Sequence, residues 1–135
     1  MSRERGSMAL QLALMTPVLL LLVVVAVYAG RLESGQARVD DAAHDGARAA
    51  TLARSPAAAL AAARSAALAT LGSAPDCRSA SVDVDLSGFR PGGSVAVSVR
   101  CDIERGDLGL LPIPGTATLT GTSVSAVDLY RVTTP

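Results

Sequence analysis

From Met8 to Ala29 the chain reads MALQLALMTPVLLLLVVVAVYA, with no formal charge and only Gln11, Thr16 and Pro17 interrupting the apolar run. At about 1.5 Å per residue, a helix over this stretch extends about 33 Å, enough to cross a hydrocarbon core about 30 Å thick. A helix apolar on every side has no face to offer water. The pattern therefore predicts a transmembrane helix over residues 7–29. Pro17 lacks an N–H, so it should bend this helix or free a carbonyl near Ala13.

Beyond Gly30 the run gives way to RLESGQARVDDAAHDGARAATLAR, in which Leu32, Val39, Ala43, Ala47 and Ala50 recur at helical spacing among charges of both signs. This predicts that the helix continues out of the membrane through residues 30–54. Gly30, Gly35 and Gly46 each cost about 1 kcal/mol relative to Ala inside a helix, so bending or fraying is expected there. Asp41 and Asp45 lie one turn apart and Asp45 precedes Arg48 by three, a solvated face with a weak ion pair.

Ser55 followed by Pro56 is a helix start, a capping hydroxyl and then a ring that fixes φ at the first helical position. A second helix follows to about Leu71, with Gly72 as its stop and Leu60, Arg64, Leu68 and Leu71 on one side. Its apolar residues are small and demand close packing, for which the strands that follow are the expected partner.

From Ser81 the period becomes two. Val82, Val84 and Leu86 alternate with Asp83, Asp85 and Ser87, GFRPGG makes a turn, and Val95, Val97, Val99, Cys101 and Ile103 alternate again, which predicts a β-hairpin with one buried face. A third strand is expected between Thr116 and Tyr130; its apolar phase shifts between Leu119 and Val124, and Gly121 is expected to mark a bulge there. DLGLLPIPG should form a loop lying against the sheet or a neighbour. The fold class is α+β: a long N-terminal transmembrane helix continuing into an extracytoplasmic helical segment, then a short helix packed on a small antiparallel sheet of about three strands. Residues 55–135 form the small α+β domain.

Composition narrows the function. The chain has 135 residues, one Phe, two Tyr and no Trp, so the domain outside the membrane has little aromatic material for a core. Twelve basic residues, all Arg, balance twelve acidic ones, which disfavours nucleic acid as the ligand. Arg3 and Arg5 before the apolar run are matched by Arg31 and Arg38 after it, so the basic residues alone do not orient the span. Cys77 and Cys101, the only two cysteines, flank the hairpin. Folding the chain about residue 90 sets Cys77 opposite positions 102–104, near Cys101. One disulfide in an oxidising compartment fits this placement, with two buried thiols as the alternative. Closure of that loop would stabilise the domain by about 3–4 kcal/mol in the chain-entropy model and would place it outside the cytoplasm.

The residue inventory opposes catalysis. His44 is the sole histidine and sits in the charged stretch DDAAHDGAR, where a solvated side chain is expected. There is no nucleophile elbow, paired-cysteine metal motif or phosphate-binding loop, and GFRPGG lacks the Lys and helix of a P-loop. Asp83 and Asp85 take alternate, outward positions of a strand, and Arg90 and the leucines of DLGLLPIPG read as turn and loop residues. No cofactor, metal or small-molecule substrate is implied.

With these elements placed, RGSMALQLALMTPVLLLL followed by YAGRLESGQARVDDAAHDGARAA resembles the N-terminus of TadE-like minor pseudopilins of the Tad, or Flp, pilus system. VDVDLSGFRPGGSVAVSVRC and LLPIPGTATLTGTSVSAVD resemble actinobacterial members. The resemblance implies a cytoplasmic leader, residues 1–6, removed by a prepilin peptidase between Gly6 and Ser7. The apolar helix would then pack against other pilin-like subunits and the Tad assembly platform. It also implies a single-pass membrane protein with its N-terminus cytoplasmic and its C-terminal domain extracytoplasmic. Pilin-like proteins usually carry Glu five residues after the cleavage point, where this chain has Gln11. A neutral amide compensates a neighbour's terminal ammonium less well than a carboxylate does, which points to a minor or assembly-associated role. Two alternatives stand beside this reading: secretion after cleavage behind Ala29, and an uncleaved single-pass subunit of a secretion apparatus.

Overall fold

The computed structural model describes residues 3–72, 77–108 and 114–130. The two helical patterns become α1 (Arg3–Leu52) and α2 (Pro56–Leu71), and the alternating patterns become β1 (Ser79–Asp85), β2 (Ser94–Glu104) and β3 (Thr116–Ala126), with a short 3-10 turn at Arg105–Leu108. The strands form one antiparallel sheet in the order β1-β2-β3. Both helices lie on one face of it, α1 against β2 and β3, and α2 against α1 and β1. This is the expected α+β arrangement.

The apolar run and its charged continuation form one helix, α1, that passes through Pro17, Gly30, Gly35 and Gly46 without interruption. The expected fraying at these glycines is corrected for two of them by what stands beside them. A Cβ on Gly46 would lie 3.1 Å from the Ala63 carbonyl and 3.2 Å from Val97, and one on Gly35 would lie 2.9 Å from Leu119. At Gly46 the α2 backbone and the sheet leave little room for a side chain, whereas at Gly35 only the end of the Leu119 side chain would have to turn aside.

Ser55 caps α2 as its sequence requires: the residue is extended (φ −136°, ψ 156°), its hydroxyl accepts the Ala58 N–H at 3.3 Å, and Pro56 opens the helix. Gly72 closes it in a right-handed conformation, donating its N–H to Leu68. The buried face is Ala59, Ala63, Ala67 and Leu71, one residue out of phase with the expected Leu60, Arg64 and Leu68. Leu68 is 48 % exposed. The alanines turn inward because the main partner is a helix, α1, whose buried face carries Ala42, Ala43, Ala47 and Ala50 and whose Gly46 lies against Ala63 and Ala67. Two small-residue faces bring the backbones close enough for dispersion contact along their length, which leucines would prevent. The sheet is therefore a secondary partner of α2.

The hairpin register pairs Ala80 with Cys101 and Asp85 with Ala96, and Val95, Val97, Val99, Cys101 and Ile103 point inward with exposure of 3 % or less. Gly92, with φ 75°, provides the left-handed residue of the connecting turn. Val127 closes this end, donating its N–H to Gly93 and accepting that of Gly92. The expected bulge at Gly121 is absent: β3 pairs with β2 in unbroken register from Ser94–Ala126 to Glu104–Thr116. The strand keeps its phase, Leu119 and Gly121 inward and Val124 outward at 64 % exposed. Gly121 is there because α1 crosses against it, and a Cβ would meet the Val39 carbonyl oxygen and Asp40 Oδ1, each at 2.7 Å. The expected loop DLGLLPIPG lies mostly outside the described residues, which resume at Pro114.

Candidate functional site

Two segments of α1 behave in opposite ways. From Leu10 to Val25 the large apolar side chains other than the half-buried Val24 are between 52 % (Val18) and 70 % (Leu12) exposed, so most of this half of the helix is uncovered within the monomer. From Val39 to Ala50 the inward face is fully covered: Val39, Ala42, Ala43, Ala47 and Ala50 are all 1 % exposed or less. Tyr28 and Leu32, partly buried against the same core, mark the passage from one regime to the other. The helix thus offers a bare apolar rod at one end and is clasped by the folded domain at the other. Among the described residues one helix, α1, is long and apolar enough to cross a membrane.

Within the rod, Gln11 is exposed and shares a surface with Leu12, Met15 and Leu19. Pro17 withholds the donor that the Ala13 carbonyl would otherwise receive. One residue earlier, the Thr16 hydroxyl donates to the Leu12 carbonyl at 2.7 Å and satisfies a backbone acceptor of the same turn. Such local pairing is what a helix in lipid requires, since hydrocarbon offers no substitute. Gly6 and Ser7 lie within the helical backbone of α1. The structure does not bring Gly6, Ser7 or Gln11 near the cysteines: the former stand on the rod, the latter on the domain.

The clasp is fixed by polar contacts as well as packing. Gln36 Nε2 donates to the Thr120 carbonyl at 2.9 Å, tying α1 to β3, and to Asp40 Oδ1 at 3.2 Å. Thr70 donates to Asp45 Oδ2 at 2.8 Å, tying α2 to α1. Asp45 was expected to pair with Arg48 across a solvated face, but the α2 hydroxyl, 25 residues away in sequence, is its partner. Cys77 and Cys101 are bonded, with Cα atoms 5.6 Å apart, and Arg78 extends the hairpin by donating its N–H to the Asp102 carbonyl. The bridge closes the open end of the hairpin, beside the Arg78–Glu104 ion pair at 2.8 Å. On the outer face Asp102 receives the hydroxyls of Thr118 and Ser79, each at 2.7 Å, and these hold its carboxyl below the usual carboxylate range.

The remaining candidates are surface residues. His44, Asp83 and Arg90 are exposed. Asp85 accepts the Ser87 N–H at 2.9 Å, which lowers its pKa and makes it a turn residue of the hairpin. Among the described residues no cluster of His, Cys, Asp and Glu could hold a metal ion. Sequence reasoning missed Gln36, Thr70 and the Asp102 cluster. Their partners lie 16 to 84 residues away, and only the glycines at 46 and 121 signalled how closely the elements approach.

A family model described as TadE-like protein matches residues 6–48. The matched stretch falls wholly within α1 and takes in both the bare rod and most of the clasped face. No curated protein and no solved structure gives a significant match.

Proposed function

We propose that this chain, whose residues 6–48 match the family model of TadE-like proteins, is a membrane protein associated with a Tad-type pilus and acts as a minor pseudopilin in its assembly. One observation carries the reading: from Leu10 onward the matched helix is exposed over most of its apolar half and clasped where it is amphipathic. In the bilayer the bare half is the anchor; during assembly the same surface packs against other pilin-like subunits and the Tad assembly platform. The prepilin peptidase removes residues 1–6 on the cytoplasmic side, leaving Ser7 as the mature N-terminus. Gly6 suits this step, since the absence of a side chain leaves the backbone open to attack. Residues 7–29 then form the membrane span, residues 30–54 the helical extension and residues 55–135 the domain, which lies outside the cytoplasm. The Cys77–Cys101 bridge supports that orientation, because disulfides persist in oxidising compartments. The protein works by packing and not by catalysis.

The mature N-terminus, measured in cells with and without the prepilin peptidase, tests this directly. A start at Ser7 only in the presence of the peptidase is expected. The same N-terminus in both strains refutes the processing step, and a start at Gly30 would mean signal-peptidase release.

A further inference from the structure

The folded domain does not stop where the apolar run ends. Gly35 of α1 faces Leu119 and Val39 faces Gly121, so two residues along β3, about 7 Å, accompany four along α1, about 6 Å, and the two elements run side by side in the same direction. Arg105 donates its N–H to the Gly115 carbonyl at 2.9 Å, which extends the β2–β3 ladder one step past Thr116 toward the rod. Gly115 lies four residues before Leu119, so at the same ratio this last rung stands level with Val27, inside the apolar run. Contacts elsewhere agree with that level. Tyr28 is partly buried against the domain core, the turn Arg105–Leu108 touches α1, and Val24, one turn nearer the N-terminus, is half-buried.

Length then decides how deep the rung sits. About twenty helical residues cover a hydrocarbon core about 30 Å thick, and counted from Met8 they end at Val27. An edge drawn at Val24, clear of the domain, would leave only about 24 Å between Met8 and Val23. A span beginning at Met8 therefore brings the bilayer up to the Arg105–Gly115 rung. Arg105 and Asp107 keep the turn on the polar side of that edge, since charged side chains are costly in hydrocarbon. The sequence joining Leu108 to Pro114 is GLLPI, without a polar side chain.

We propose that the membrane end of the domain, formed by the turn Arg105–Leu108 and by Pro114 and Gly115, is a lipid-contact surface seated at the boundary between headgroups and acyl chains. Lipid is its partner because this surface is continuous with the exposed apolar side chains of the rod. The contact adds to the hold of a single helix on the membrane and has to break before that helix can leave it.

The inference rests on α1 spanning the bilayer, and the test separates the two. The full-length protein, with Cys77 and Cys101 bonded, carries a fluorophore on one introduced thiol at a time and is reconstituted in phosphatidylcholine vesicles. Gly106→Cys reports the surface, since among the described residues nothing lies within 4 Å of a Cβ there; Pro114→Cys, also exposed, reports it should that variant fail to fold. Arg90→Cys reports the far end of the domain, about 34 Å away along β2, and Val18→Cys reports the middle of the rod. The quenchers are lipid-borne nitroxides, placed near the headgroup or near the chain end, and iodide on both sides of the membrane. At Gly106 and Pro114 the shallow nitroxide should quench more than the deep one, and iodide should quench several-fold less than at Arg90; at Val18 the deep nitroxide should quench. Iodide access at Gly106 and Pro114 equal to that at Arg90, with Val18 still quenched from the lipid, overturns the contact surface alone. A Val18 label that no lipid nitroxide reaches overturns the span and the surface with it. Shielding of Gly106 and Pro114 from iodide without quenching from the lipid means that a second copy covers this end, and overturns lipid as the partner.

Discussion

Gly121→Ala puts the contact between α1 and β3 to the most direct test. The added methyl would lie 2.7 Å from both the Val39 carbonyl oxygen and Asp40 Oδ1, and 2.8 Å from the Val39 carbonyl carbon. Asp40 can rotate away, but the Val39 backbone sits inside a continuous helix and moves only with it. To restore ordinary van der Waals separation, α1 and β3 must part by roughly 0.7 Å, which loosens the packing of Val39 and Leu119. Overpacking of this kind costs about 1–3 kcal/mol. Against it stands a gain of about 0.4–1 kcal/mol, because alanine restricts the unfolded chain more than glycine does. The net expectation is a loss of about 1–2 kcal/mol, or a midpoint lower by about 5–15 °C for a domain of this size. Gly30→Ala is the matched control, since nothing lies within 4 Å of a Cβ there and the helix should gain up to about 1 kcal/mol. Thermal unfolding of the two variants in the same detergent measures both. A Gly121→Ala protein as stable as its parent would refute the close-approach reading, and rescue by adding Asp40→Ala would show that the helix backbone is not the obstacle.

Reduction of the Cys77–Cys101 bridge, or its replacement by Cys77→Ala/Cys101→Ala, should cost about 3–4 kcal/mol in the chain-entropy model, read as a lower urea midpoint; an unchanged midpoint would contradict this. The Asp102 carboxyl is depressed in the folded state by the Thr118 and Ser79 hydroxyls, so its contribution is present above its unfolded value and is lost as pH falls through the folded one. Stability of the parent should therefore fall more steeply with acid below about pH 4 than that of Asp102→Asn, as followed by urea midpoints across that range. Gln11→Glu should leave the number of surface pili unchanged or raise it, counted by electron microscopy, and a marked loss would oppose a role in which Gln11 needs no charged neighbour.

Periodicity reveals what each segment must hide, but not what hides it. The apolar run, the cap at Ser55, the alternation from Val82 to Ile103 and the proximity of Cys77 to Cys101 were all legible, because each depends on residues close in sequence or on a simple hairpin register. The inward face of α2 was not, since leucines normally win a helix interface and the alanine face prevails only once α1 is known to present alanines of its own. Gly121 shows the same limit. A glycine at a phase change in a strand fits a bulge equally well, and the helix that excludes its side chain enters from more than 80 residues upstream. On the rod, residue type and order made the functional segment readable, whereas Gln36 and Thr70, which hold the domain to it, are ordinary polar residues until the fold supplies their partners.

The continuity of α1 has a geometric corollary. With no break in the helix between the rod and the clasped face, any given side of the rod and the side of the domain that faces outward are related by a fixed angle, set by counting residues at about 100° each. Adding one residue near Gly30 would leave both halves intact and turn the domain by more than a quarter of a revolution about the helix axis relative to the rod. The length of the segment between Ala29 and Val39 is therefore a bearing as well as a spacer: it sets the direction in which the domain points.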